Sequence, residues 1–90
     1  MLRYARHPGL RLTALEGEGV VLHLGTRRYY SVSESGLDLL EALVAPKRLD
    51  ELVAVLTAKY DVSVERAEAT TREFLEQGLK TGTLTVEDVP

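Results

Sequence analysis

The chain has 90 residues, a length that forms one small domain, and 44% of them are hydrophobic, as in ordinary folded proteins. The absence of cysteine excludes disulfides, a thiolate nucleophile and cysteine-based zinc sites. Charge is divided unevenly, because residues 1–32 carry five arginines against two glutamates, whereas residues 33–90 carry six basic against twelve acidic residues. No apolar run approaches the roughly 18 residues of a membrane span, and no signal peptide is evident, so we expect a cytoplasmic protein without membrane contact.

The first third of the sequence predicts a three-stranded antiparallel meander. Residues 1–9 are predicted to form an irregular lead-in that ends in the break Pro8-Gly9. Alternating apolar residues predict a first strand over residues 10–14 and a second over residues 20–24, joined by a glycine-containing turn. Gly25-Thr26 then leads into a short aromatic and β-branched run, residues 27–33, which we interpret as the last strand of the sheet.

The remaining sequence predicts three helices. Ser33 is a natural N-cap, and the apolar stripe of the first helix runs from Gly36 to Val44. A second stripe extends from Leu49 to Tyr60. Ser63 caps a third helix, which Gly82 ends.

The predicted fold is α+β, with a three-stranded antiparallel sheet followed by three helices, in the proportions of a winged helix-turn-helix domain. We expect residues 1–90 to form a single domain. The tail from Leu84 to Val89 could add a short strand, but we expect residues 86–90 to fray.

The candidate catalytic residues are too few and too scattered for an active site. His7 and His23 are the only histidines, sixteen residues apart and without a cysteine, so they make a poor metal site. We expect His23 to point outward from its strand and His7 to lie at the surface. Ser31, Ser33 and Ser35 do not form the Gly-x-Ser-x-Gly elbow of a serine hydrolase. We therefore predict no enzyme activity, no metal site and no cofactor.

DNA binding is the alternative that the winged-helix proportions raise. The third helix would be the reading element, but from Ser63 to Gln77 it carries two arginines against four glutamates. Because DNA affinity comes largely from lysine and arginine side chains that neutralise phosphates, DNA would repel this helix. Arg27 and Arg28 could touch a phosphate, yet two arginines are a small footprint. A small DNA-binding regulator is therefore the second hypothesis, and we expect no nucleic-acid partner.

The edge of the last strand is the other candidate site, because a free strand edge can accept a peptide as an added strand. Main-chain hydrogen bonds contribute about 0.5–1.5 kcal/mol each, while ordering a peptide costs about 1–2 kcal/mol per residue, so the backbone ladder alone about breaks even. Affinity then requires apolar anchors in a neighbouring groove, which Tyr29 and Tyr30 could form beside the third helix. In the alternative interpretation, one tyrosine belongs to the core and the other to an ordinary surface, and the residues alone leave both open.

Several short runs resemble a known family when they are taken together. They are Gly19-Val20-Val21-Leu22, Arg28-Tyr29-Tyr30-Ser31-Val32-Ser33, Ser35-Gly36-Leu37, Leu49-Asp50-Glu51-Leu52, Leu56, Lys59-Tyr60-Asp61-Val62, Phe74-Leu75 and Gly78-Leu79. Over about residues 10–85 this pattern resembles the PqqD family. Ser33 departs from the family's usual Asn after the strand, although both residues cap helices. The strand also lacks the Tyr-Pro and Leu-Asn dipeptides of the pyrroloquinoline-quinone branch, which favours another pathway.

The resemblance implies a RiPP recognition element, a winged-helix-like domain that binds the leader region of a ribosomally made precursor peptide. In such domains the leader pairs with the third strand of the sheet and lies against the third helix. The strand residues implied here are Arg28, Tyr29, Tyr30, Ser31 and Val32, and the helix residues are Ala67, Glu68, Thr71, Arg72, Phe74 and Leu75. Arg27, Arg28 and Arg72 would meet acidic leader residues. Strand periodicity places Tyr30 and Val32 on one face, with Tyr29 and Ser31 on the other.

A free-standing chain of this size resembles the discrete recognition proteins of lasso-peptide pathways. That resemblance implies delivery of the bound precursor to two enzyme partners. One is a leader peptidase, a transglutaminase-like cysteine protease, and the other is an asparagine-synthetase-like cyclase.

Overall fold

The computed structural model describes residues 1–16 and 18–90, which form five strands and three helices. In chain order these are β1 (Leu2–Arg6), β2 (Leu10–Leu15), β3 (Glu18–His23), β4 (Arg28–Ser33), α1 (Glu34–Ala42), α2 (Leu49–Lys59), α3 (Val64–Thr81) and β5 (Leu84–Asp88). None of the helices in these residues is both long enough and apolar enough to cross a bilayer.

Strands β2, β3 and β4 form an antiparallel sheet in which β3 is central. Val21 of β3 lies opposite Leu12 of β2 and Tyr30 of β4, and all three belong to the sheet face that packs against the helices. The β3–β4 turn is short, as this up-and-down order requires. The predicted glycine-containing turn between β2 and β3 includes residue 17, which lies outside the described residues. The predicted α+β fold, a three-stranded antiparallel sheet followed by three helices, is confirmed.

The first and last strands pair with each other in a separate two-stranded sheet. The segment before α2 joins β1, because the Tyr4 N–H donates to the Lys47 carbonyl at 2.7 Å and the Lys47 N–H donates back at 2.9 Å. The predictions of an irregular lead-in over residues 1–9 and of a frayed tail over residues 86–90 are therefore wrong for β1 and for the tail through Asp88. Each segment is too short and too polar to form a strand alone, and each supplies the backbone partners of the other.

The predicted helix boundaries follow from their capping residues. The Ser33 hydroxyl accepts a hydrogen bond from the Gly36 N–H at 3.2 Å, and the Ser63 hydroxyl accepts one from the Arg66 N–H at 3.2 Å. These bonds satisfy N–H groups that the first turn of a helix leaves without a partner. Gly82 ends α3 in the left-handed conformation, with φ of 78°, which glycine adopts without steric cost.

The core lies between the sheet and the helices. Its largest fully buried side chains are those of Val21, Leu39, Leu40, Leu43, Leu52 and Thr71. Gly78 gives β5 room to approach α3, because a Cβ at this position would overlap the Leu84 side chain. Glycine is a poor helix former. The close contact with β5 explains why a glycine nevertheless stands near the C-terminal end of α3.

A polar cluster ties the end of α2 to α1. The Tyr60 hydroxyl donates to Asp38 Oδ2, and Lys59 Nζ donates to Asp38 Oδ1 at 2.9 Å. Burial alone would raise the pKa of Asp38, but the hydrogen bonds from Tyr60 and Lys59 outweigh it and hold that pKa below its usual range. The same bond to Asp38 raises the pKa of Tyr60 to about 12. The cluster therefore favours a charged Asp38 and a neutral Tyr60.

We expect Tyr60→Phe to lower the free energy of unfolding by about 1–2 kcal/mol at neutral pH, because a hydrogen bond to a charged group is lost. Urea unfolding measures this, and Tyr29→Phe is the matched control. Tyr29 is 71% exposed, so removal of its hydroxyl should change stability by less than about 0.5 kcal/mol.

The difference in the free energy of unfolding between wild type and Tyr60→Phe should depend on pH in a defined direction. The lowered pKa of Asp38 stabilises the fold above the usual carboxyl range, and this stabilisation is lost as the pH falls through the lowered value. The raised pKa of Tyr60 stabilises the fold below the ordinary tyrosine pKa and is lost as the pH rises towards about 12. The difference between wild type and Tyr60→Phe should shrink at both extremes, and a constant difference would contradict the assignment.

Candidate functional site

Strand β4 is an edge of the three-stranded sheet in the described part of the chain. Its six residues pair with β3 on one side, from Arg28 opposite His23 to Ser33 opposite Glu18. In an antiparallel pair, alternate residues direct their N–H and C=O groups towards the partner strand, so the others direct them away from β3. These outward groups are free to pair with a further strand.

An open groove runs between β4 and α3. It consists of two adjoining clefts of about 250 and 410 Å³, which share Ser31, Val32, Phe74 and Gln77. Val21 and Leu40 line the first cleft, while Gly36 and Leu39 line the second, so both clefts reach the core. We call the two clefts together the β4–α3 groove.

The side chains of β4 alternate between half-buried and exposed positions, and the exposed Ser31 and Ser33 also border the clefts at the strand edge. Tyr30 and Val32 are half-buried and pack against the core, whereas Tyr29, Ser31 and Ser33 are exposed. The predicted alternation is therefore present in the structure. Tyr30 and Val32 form the strand wall of the β4–α3 groove, and Tyr29 lies on the face that no helix covers.

The helix wall comes from one stripe along α3. Its residues recur at the three- and four-residue spacing of a single helix face, and they are Thr70, Glu73, Phe74, Gln77, Gly78 and Thr81. Phe74, predicted from the sequence, lies in this stripe and lines both clefts. The other members are mostly polar or glycine, so no hydrophobic periodicity in the sequence marks them.

Three other predicted helix residues line neither cleft of the β4–α3 groove, although Ala67 borders the neighbouring cleft between α1, α2 and α3. Ala67, Thr71 and Leu75 are buried in the core. The Thr71 hydroxyl donates to the Ala67 carbonyl at 2.7 Å, which satisfies this polar group inside the protein. Their apolar spacing belongs to the core-facing stripe of α3, and they support the wall that Phe74 presents.

Glu68 and Arg72 lie on a different side of α3. They form an ion pair, with Arg72 Nη2 and Glu68 Oε1 2.8 Å apart. Glu68 lines a separate cleft with Val53 of α2. Because successive helix residues rotate by about 100°, Arg72 points roughly 160° away from Phe74. The structure therefore does not bring this pair together with β4.

Arg27 and Arg28 lie at the end of the groove nearest the β3–β4 turn. Arg27 belongs to the turn itself, with φ of 60°, and its N–H donates to the His23 carbonyl at 2.6 Å. Arg28 is the first residue of β4. Both side chains are exposed, so this end of the strand carries positive charge.

The groove continues past the other end of β4. A third cleft, of about 300 Å³, shares Ser33, Ser35 and Thr70 with the β4–α3 groove. It reaches Leu56 and Val62 at the junction of α2 and α3. This extension was not predicted, because its lining comes from three helices whose packing angles decide whether a gap remains between them.

The two histidines meet in space, contrary to the prediction for His23. The His23 side chain is buried, 5% exposed, and its ring centroid lies 4.4 Å from that of His7. His7 Nδ1 accepts a hydrogen bond from the Gly9 N–H, and His23 Nδ1 accepts bonds from Gly25 and Thr26 N–H groups. The described residues contain no group of three or more potential metal ligands. Because His23 shares the buried face of β3 with Val21, the outward orientation predicted for it is wrong.

Comparison with known proteins gives a family and a related structure. The model of the family "Coenzyme PQQ synthesis protein D (PqqD)" matches residues 18–84. The fold is similar to a solved structure described as "TbiB1 in Complex with the TbiA(beta) Leader Peptide", with a TM-score of 0.76 and 26% sequence identity. The match covers 89% of this chain and 93% of that one. No curated protein sequence matches the chain significantly.

The family match includes β3, β4, all three helices and the first residue of β5. It therefore includes both walls of the β4–α3 groove. Since the matched segment is well over half of the sequence, the chain belongs to the PqqD family.

Proposed function

We propose that this chain binds the leader region of a ribosomally synthesised precursor peptide, without catalysis. The leader adds to β4 as a further antiparallel strand, and its alternate side chains enter the β4–α3 groove. The observation that carries this proposal is the position of an unpaired strand edge beside an open groove that reaches the core. The similarity to TbiB1, whose structure is described as a complex with a leader peptide, supports a leader peptide as the ligand.

The groove supplies the affinity that the strand edge lacks. Backbone hydrogen bonds, at about 0.5–1.5 kcal/mol each, only offset the cost of ordering the peptide, about 1–2 kcal/mol per residue. Each large apolar side chain that leaves water adds about 1.5–3 kcal/mol. Tyr30, Val32 and Phe74 present half-buried apolar surface for such anchors. Two anchors contribute about 3–6 kcal/mol, which corresponds to dissociation constants from millimolar to tens of micromolar.

The residues implied by the family resemblance then have different roles. Tyr30, Val32 and Phe74 contact the leader, while Ala67, Thr71 and Leu75 hold the helix wall in place from within the core. The remaining strand residues, Arg28, Tyr29 and Ser31, contact the leader through the strand edge and the outer face.

Electrostatic attraction contributes to leader binding at one end of the groove. Arg27 and Arg28 are exposed and attract acidic leader residues. Arg72 contributes little, because its guanidinium is already paired with Glu68 on the far side of α3. The same pair makes Arg72 a poor phosphate ligand, which further disfavours DNA as the partner.

We expect Phe74→Ala to weaken leader binding by about 10- to 100-fold, because the largest apolar surface of the helix wall is removed. Fluorescence anisotropy measures this with a labelled synthetic leader from the precursor gene beside the gene for this chain. Arg72→Ala is the matched control on the same helix and should change the affinity less than about twofold. The reverse order of effects would place the peptide on the other face of α3. A labelled DNA duplex in the same assay should not bind.

Strand addition predicts that every second residue of the leader forms main-chain hydrogen bonds with β4. In an antiparallel pair, the N–H groups of alternate leader residues donate to β4. Leader peptides that are N-methylated at one position each should therefore lose affinity at every second position and keep it at the positions between. Isothermal titration with the methylated series measures the pattern. A uniform effect of methylation would exclude strand addition while leaving binding in the groove intact.

We further propose that the protein acts in a lasso-peptide pathway and delivers the bound precursor to a leader peptidase and a cyclase. If so, a transglutaminase-like peptidase of the same pathway should cleave the precursor more than about tenfold faster when this chain is added, because a chain that binds both the leader and the peptidase raises the effective concentration of substrate at the enzyme. The Phe74→Ala variant should give less stimulation at subsaturating concentrations. Equal cleavage with and without the chain would contradict delivery but not leader binding.

A further inference from the structure

One buried side chain connects the two walls of the β4–α3 groove. His23 is the last residue of β3, and its Nε2 lies 3.2 Å from the carbonyl oxygen of Gly82, which ends α3. On the strand side, His23 Nδ1 accepts hydrogen bonds from the Gly25 N–H at 3.1 Å and the Thr26 N–H at 3.3 Å. Gly25 and Thr26 form the turn that leads directly into β4. We call the ring with these three hydrogen bonds the His23 bridge.

The hydrogen bonds determine the protonation state of the ring. Nδ1 faces two N–H donors and therefore carries no proton, while Nε2 faces a carbonyl and therefore carries one. His23 thus uses both nitrogens of a neutral imidazole. Every polar atom of the ring has a partner, which offsets the cost of burying it.

Neighbouring backbone fits closely around the bridge. A Cβ at Gly25 would lie 2.9 Å from His23 Cε1, so a residue larger than glycine would push the ring out of place. On the other side, the His7 ring packs against His23, and the backbone N–H of His7 donates to the Thr83 carbonyl at 2.8 Å. These contacts restrict the ring to one orientation.

The bridge lies next to the groove but does not line it. Tyr30 on the strand wall and Thr81 on the helix wall both line the cleft of about 250 Å³, and Thr81 directly precedes Gly82. His23 is absent from the lining of all the clefts described above. A displacement of the turn or of Gly82 would therefore change the separation of the walls without removing any residue that touches a peptide.

We infer that His23 is a positioning residue for leader binding: its ring fixes the separation between the start of β4 and the end of α3, and so sets the width of the groove at the Tyr30–Thr81 end. This inference rests on the proposed leader binding for its functional consequence. Its structural part concerns the free protein alone, so the two can fail separately.

Two substitutions test the hydrogen bonds on the two sides of the His23 ring separately. In His23→Asn the side-chain oxygen can take the place of Nδ1 and keep the turn, but the side chain is too short to reach Gly82. In His23→Gln the amide N–H can reach Gly82, while the bonds to the turn are lost. Val53→Ala on α2, distant from the groove, is the control for a general loss of core packing.

We expect each His23 variant to weaken leader affinity by about three- to tenfold, as for the loss of one or two hydrogen bonds. Val53→Ala should change it less than about twofold at the same fraction of folded protein. In the free protein, either His23 variant should shift the backbone amide resonances of both walls, Tyr30–Val32 and Gln77–Thr81. Shifts confined to the wall whose own bond was removed would overturn the inference.

The wild-type protein provides a second test that needs no variant. Its ring ¹⁵N spectrum should show a protonated Nε2 and an unprotonated Nδ1, and the opposite tautomer would overturn the bridge. Saturation with the labelled leader should shift the His23 ring resonances although the ring does not touch the peptide, and unchanged resonances would contradict coupling to the groove. If wild type binds no leader, the proposed function fails, and the amide shifts of the free variants still decide whether the bridge positions the walls.

Discussion

The unpaired edge of β4 is the constraint on which the site depends. Backbone N–H and C=O groups need hydrogen-bond partners, and β3 supplies them on one side only. The chain leaves β4 at Ser33 and begins α1 immediately, and the later strand β5 pairs with β1, so no strand of the described residues covers the edge. Helix α3 lies near that edge with a gap between them, and the gap is the groove.

Helix α3 packs against the core with one face and borders the groove with the adjacent face. The face with Ala67, Thr71 and Leu75 closes the core, which fixes the helix relative to the sheet. The adjacent face with Phe74 borders the groove. Because the buried face of α3 holds the exposed face in position, the groove is largely preformed. Binding of a ligand therefore requires less ordering of the protein.

Contacts between distant parts of the sequence support both walls. The β1–β5 pair and the hydrogen bonds between Tyr4 and Lys47 attach the chain ends to the helices. Gly78 lets β5 lie close to α3, and His23 joins the end of that helix to the β3–β4 turn. Of these residues, Gly78 lines the groove and the others do not. Their effect is on its shape.

The sequence by itself determined the sheet, the helices and their caps, because alternation, helical spacing and residues such as Ser33 and Ser63 act locally. It also predicted β4 and Phe74 as parts of one site, and in the structure both border the same groove. Only the tertiary structure decided which face of α3 borders the groove, because that depends on how the helix rotates against α2 and the sheet. It also decided that His23 is buried beside His7 and that β1 pairs with β5, since these contacts join residues too far apart in the chain for any local pattern to report them.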